Sequence, residues 1–116
     1  MAPSTLDLEL LPASNESVTI YQLQGKLALE TVSTFVQRLR AETVPHMILD
    51  MGGVSYLDSA GVGSLVSLFV SRRNHGRTFA LTSLTPQSSA VVTVAGLQKL
   101  LPVFATVDEA LAQKPQ

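Results

Sequence analysis

The chain has 116 residues, 46% of them hydrophobic and 15% charged, a balance that suits one globular domain with a single core and excludes a disordered chain. A net charge of −1 leaves no electrostatic footprint for nucleic acid or for an anionic membrane surface. The absence of cysteine excludes a disulfide framework, a thiol nucleophile and cysteine-ligated zinc, and agrees with a reducing compartment.

Met1 to Asp7 lacks both the basic and the apolar segment of a signal peptide. No apolar run approaches the ~18 residues that a membrane span requires. The expectation is a cytoplasmic protein without direct membrane insertion, a single domain over 1–116 with its core at about 6–112.

In chain order, Leu6-Asp7-Leu8-Glu9-Leu10 alternates strictly and predicts a half-exposed edge strand. Pro12 to Ser17 reads as a turn, and the β-branched and aromatic run Val18 to Leu23 as the second strand of an antiparallel hairpin, ended by Gly25. From Leu29 to Glu42, Val32, Phe35, Val36 and Leu39 recur at helical spacing. Pro45 stops that helix, and His46 to Met51 predicts a buried central strand ending at a Gly52-Gly53 turn.

Ser59 then opens a second helix, whose stripe is Val62, Leu65, Val66, Phe69 and Val70 and whose end carries Arg72, Arg73, His75 and the left-handed cap Gly76. Thr78 to Thr82 is the next strand. Pro86 suits the first position of a helix over Gln87 to Ala95, closed by Gly96. Val103-Phe104 is a last short strand, the capping-box pattern Thr106-Val107-Asp108-Glu109 starts a final helix, and Lys114 to Gln116 is a frayed tail. This order predicts an α/β fold: a mixed sheet of about five strands, antiparallel at first and then parallel, with about four helices packed on it. Functional loops are expected beyond the carboxyl ends of the parallel strands, at Gly25 to Leu29 and Gly52 to Ser59.

Ser59 at a helix start has two compatible readings. Its hydroxyl can cap an orphan amide, or the helix end can accommodate a phosphate, which unpaired amides and the helix dipole both favour. Hydrolase chemistry would need a Gly-x-Ser-x-Gly elbow and a histidine base. Neither Ser55 nor Ser59 has that pattern, and His46 and His75 fall at a strand start and a helix end. No enzyme activity, cofactor or metal is expected: a phosphate-binding loop would require a Lys, and Asp50 and Asp58 lack a third ligand. Gly61 and Gly63 each weaken the first turn by about 1 kcal/mol relative to Ala, so each calls for a reason: close packing on the sheet, or close approach of another molecule.

The stretch Ile48-Leu49-Asp50-Met51-Gly52-Gly53-Val54-Ser55-Tyr56-Leu57-Asp58-Ser59-Ala60-Gly61-Val62-Gly63-Ser64-Leu65 resembles the core motif of STAS domains, the module of bacterial anti-sigma-factor antagonists. Gly25-Lys26-Leu27, Phe79-Ala80-Leu81, Ala95-Gly96-Leu97 and Phe104 to Leu111 follow in the family's order. The resemblance implies a STAS-like fold and a non-enzymatic partner switch. An ATP-dependent serine kinase that is also the anti-sigma factor would phosphorylate Ser59, and a metal-dependent serine phosphatase would reverse it. The unmodified chain would bind the anti-sigma factor and free the sigma factor. The implied docking face holds Lys26, Ala28, Thr31, Tyr56, Asp58, Ser59, Ala60, Gly61 and Val62, with Asp58 shaping the turn and touching the kinase. Ala28 stands where many antagonists carry an acidic residue. The alternative is a non-switching scaffold or regulatory subunit of a signalling complex or transporter.

Overall fold

A computed structural model describes residues 5–12 and 14–112. The expected frayed tail lies outside them. Five strands form one sheet in the order β1-β2-β3-β4-β5: β1 (Leu6–Leu10), β2 (Val18–Leu27), β3 (His46–Leu57), β4 (Thr78–Thr82) and β5 (Val103–Phe104). Only β1 and β2 are antiparallel; the other neighbours are parallel. The helices are α1 (Val32–Arg40), α2 (Ser59–Asn74), α3 (Pro86–Val94) and α4 (Val107–Ala112).

Alternation along the strands sorts the core into two layers. Tyr21, Leu23, Met47, Leu49, Met51, Phe79 and Leu81 point to one face, against Phe35 and Leu39 of α1, Leu65 and Leu68 of α2 and Val92 of α3. Val18, Ile20 and Ile48 point to the other, where α4 covers them with Ala110. The capping box forms with one partner shifted: Thr106 Oγ1 accepts from the Glu109 amide, while the Glu109 carboxylate accepts from Ala105.

Three expectations are corrected. The second and third strands do not stop at their glycines. β2 and β3 continue side by side, pairing Gln24 with Gly53, Gly25 with Val54, Lys26 with Tyr56 and Leu27 with Leu57 across two register shifts. These irregularities need glycine: Gly25 has φ +115°, and a Cβ at Gly53 would press on the Leu23 carbonyl and the Gln24 side chain. The first helix begins at Val32, three residues later than its apolar spacing suggested, because residues 28–31 form a turn in which the Thr31 and Val32 amides donate to the Ala28 carbonyl. The buried stripe of α2 is Gly61, Val62, Leu65, Leu68 and Arg72; Val66 and Phe69 are half-buried and Val70 is 43% exposed.

One half-buried polar cluster has a consequence for pH. The Tyr21 hydroxyl donates to Glu42 Oε2 at 2.8 Å, Thr19 Oγ1 donates to Oε1 of the same carboxylate at 3.3 Å, and the Arg38 guanidinium lies 5.6 Å from the Tyr21 ring centre. Burial, then the hydrogen bond and charge of Glu42, raise the Tyr21 pKa above 10.0, partly opposed by Arg38. The folded state therefore favours protonated Tyr21. Its contribution to stability is complete below pH 10.0 and is lost as pH climbs through the folded value. Tyr56→Phe leaves Tyr21 as the chain's one tyrosine. In that variant the ultraviolet tyrosinate signal is expected to rise with a midpoint above 10.0 when folded, and to return toward 10.0 in denaturant.

Candidate functional site

The carboxyl ends of β2 and β3 converge where Leu57 pairs with Leu27, and the chain leaves β3 directly into α2. Asp58 is the N-cap. One carboxylate oxygen accepts from the Gly61 amide at 2.8 Å, and the other reaches across to the Leu29 amide at 3.1 Å. A single side chain thus closes the first turn of α2 and fastens it to the 28–31 turn. That turn is held from inside by Thr31, whose hydroxyl accepts from the Ala28 amide at 3.1 Å and donates to the Lys26 carbonyl at 2.8 Å.

Because Asp58 takes the capping position, Ser59 does not cap. It is the first residue of α2, exposed, and its hydroxyl has no hydrogen-bond partner among the described residues. Ser59 also lines one end of an open apolar groove of about 590 Å³, walled by Val62, Gly63 and Val66 of α2 and by Val91 and Val94 of α3. Asp50, further back on β3, accepts from the Gly52 amide at 2.9 Å and takes no part in this turn.

The residues expected on a docking face separate into two groups. Lys26, Tyr56 and Ser59 are exposed, with Asp58 and Ala60 half-buried. Ala28 is 1% exposed, and Thr31, Gly61 and Val62 are also buried. The expectation of an exposed edge from Lys26 to Thr31 is corrected: Ala28 and Thr31 are buried, because Thr31 turns inward to hold the backbone. Leu29 takes the outward place at 73% exposure, with Glu30 exposed beside it. Leu29 falls inside the stretch where the spacing predicts the first helix, and only the hydrogen bonding of the 28–31 turn places it outside.

Gly61 and Gly63 also separate. A Cβ at Gly61 would overlap the Leu27 carbonyl oxygen and lie 2.7 Å from Leu57 Cδ1, so that glycine lets α2 pack on the ends of β2 and β3. A Cβ at Gly63 would meet nothing within 4 Å.

The fold and this exposed serine turn define a small α/β module that presents the start of one helix on its surface. The sequence model described as "STAS domain" matches residues 11–110, and the chain belongs to that family. An anti-sigma F factor antagonist of Paenibacillus polymyxa is 22% identical over 115 residues, spanning 93% of this chain and 96% of its own. The crystal structure of an anti-sigma factor antagonist from Mycobacterium paratuberculosis superposes with a TM-score of 0.82 at 21% identity, covering 96% of this chain and 95% of that one. The murine anion transporter Slc26a9 also contains this fold: the TM-score is 0.75 at 18% identity, over 94% of this chain and 22% of the transporter.

Proposed function

We propose that this chain is an anti-sigma-factor antagonist that works by partner switching. The unmodified form docks on an anti-sigma factor with serine kinase activity through the surface around Ser59, with Lys26, Leu29 and Tyr56 as exposed contacts. Phosphorylation of Ser59 ends the complex, and a serine phosphatase restores it. The observation that carries this reading is the exposed, unpartnered Ser59 hydroxyl at the first position of α2. A phosphate there adds about −1.5 to −2 charge next to the Asp58 carboxylate, whose oxygens already occupy the Gly61 and Leu29 amides. The new charge would have to be accommodated on the outer surface, where it meets the partner.

With ATP and the candidate kinase, the wild-type chain is expected to take up phosphate at Ser59, and Ser59→Ala none. Ser59→Asp is expected to bind the unmodified form's partner about tenfold more weakly or worse, a change of about 1.4 kcal/mol. Undiminished binding by Ser59→Asp, or phosphate uptake by Ser59→Ala, would overturn the switch. The likeness to a segment of an anion transporter favours, as a second reading, a docking module without a switch. In that case Ser59→Asp and the wild type would co-elute equally with a large complex on size exclusion.

A further inference from the structure

β4 accompanies β3 only from His46 to Asp50, paired with Thr78 to Thr82. From Met51 to Leu57 that side of β3 has no strand beside it among the described residues. At Leu57 the gap is closed by a side chain. Gln87 Oε1 accepts from the Leu57 amide at 3.0 Å, and Gln87 Nε2 donates to the Leu57 carbonyl at 2.9 Å. A carboxamide carries the same donor and acceptor as a peptide unit, so this pair reproduces the two bonds that a neighbouring strand would make.

Gln87 is held for the task. It is the second residue of α3, directly after Pro86, and Thr85 caps the helix by accepting from the Ser88 amide at 3.1 Å. Leu57 is the residue before Asp58, and its other side pairs with Leu27. Gln87, Leu57, Asp58 and Ser59 thus form one continuous line of support, from α3 through the end of β3 to the first turn of α2.

We propose that Gln87 is a positioning residue for Ser59: it fixes the backbone from which the hydroxyl is offered for phosphoryl transfer. This rests on the functional reading above. Phosphoryl transfer depends chiefly on placement of the attacking oxygen, and misplacement by about 1 Å costs on the order of a hundredfold in rate. Gln87 is itself exposed, but the docking contacts named above are Lys26, Leu29 and Tyr56, and the Gln87 carboxamide is engaged by the Leu57 backbone. Loss of the carboxamide should therefore act on kcat and spare KM.

The test compares wild type, Gln87→Leu and Gln87→Glu by amide hydrogen exchange and by steady-state phosphorylation with ATP and the serine kinase that modifies the wild type. In Gln87→Leu, exchange at Leu57 is expected to accelerate about tenfold and kcat to fall about tenfold, with KM within about twofold. Gln87→Glu keeps an acceptor for the Leu57 amide but faces the Leu57 carbonyl with no donor, so intermediate values are expected. It serves as the decisive variant should Gln87→Leu unfold. Unchanged exchange at Leu57, or faster exchange with unchanged kcat, would overturn the positioning role alone. A wild-type chain that takes no phosphate would overturn the functional reading and this role with it.

Discussion

Replacing Arg72 by methionine is expected to lower the stability of the fold by about 3 kcal/mol, read as a fall in the urea midpoint at unchanged slope. Arg72 is 4% exposed near the end of α2. Its guanidinium donates from Nε to the Thr78 carbonyl at 2.8 Å, from Nη1 to the Glu42 carbonyl at 3.2 Å and from Nη2 to the Val44 carbonyl at 2.6 Å. One planar group thereby ties the helix to the α1–β3 connection and to the start of β4.

Burial, with a smaller contribution from the Arg77 charge, lowers the Arg72 pKa to about 10 against the pull of Glu42. The side chain remains a cation at neutral pH. A buried charge can often be exchanged for an apolar residue at little loss, but only where its partners are exchanged too. Here the partners are three backbone carbonyls, which no substitution removes, so methionine leaves them unpaired. Arg72→Lys is expected to recover only part of the loss, because its three donors sit on one nitrogen and cannot span carbonyls that the guanidinium reaches from three. The Ser59 phosphorylation proposed above should persist in whatever fraction stays folded, since these bonds gather at the opposite end of α2.

The second large effect has opposite signs at two glycines of the same helix turn. Gly61→Ala is expected to destabilise the fold by about 3 kcal/mol, because the added methyl group meets the Leu27 backbone and Leu57 Cδ1, so α2 has to lift from the sheet. Gly63→Ala is expected to stabilise it by up to about 1 kcal/mol, since the methyl group enters open space and alanine favours the helix. Thermal melts of the two variants beside wild type read both signs. A loss of similar size at both sites would contradict the packing described for Gly61.

The order of elements was legible because the early ones carry a period of their own and the later ones are marked at their ends. Alternation in Leu6 to Leu10, the run Val18 to Leu23, and the 3–4 spacing of Val32, Phe35, Val36 and Leu39 follow from which faces are wet. Pro86, Gly76 and Gly96 marked helix ends, and both of these glycines adopt positive φ. What sequence periodicity could not report was how far two strands continue once bulges absorb their glycines. Gly25 and Gly52-Gly53 look like stops, yet their neighbours pair across the register shifts. At the site, the Asp-Ser pair was visible as a helix start, but the choice of cap depends on geometry: Asp58 caps and leaves Ser59 free. Gln87 gave no local sign, because its two partners lie thirty residues away on the backbone of Leu57.

The opening strand, finally, bears on how the protein behaves at high concentration. β1 is an edge strand of the sheet, so its outer rim is where a second copy's β1 would add. If the two paired antiparallel with Leu8 opposite Leu8, Asp7 would face Glu9 on each side, and a slip of two residues would set Asp7 against Asp7 or Glu9 against Glu9. A slip of one would press each carboxylate against a leucine. Each of these antiparallel alignments meets repulsion or stranded charge, so the rim resists stacking into fibrils.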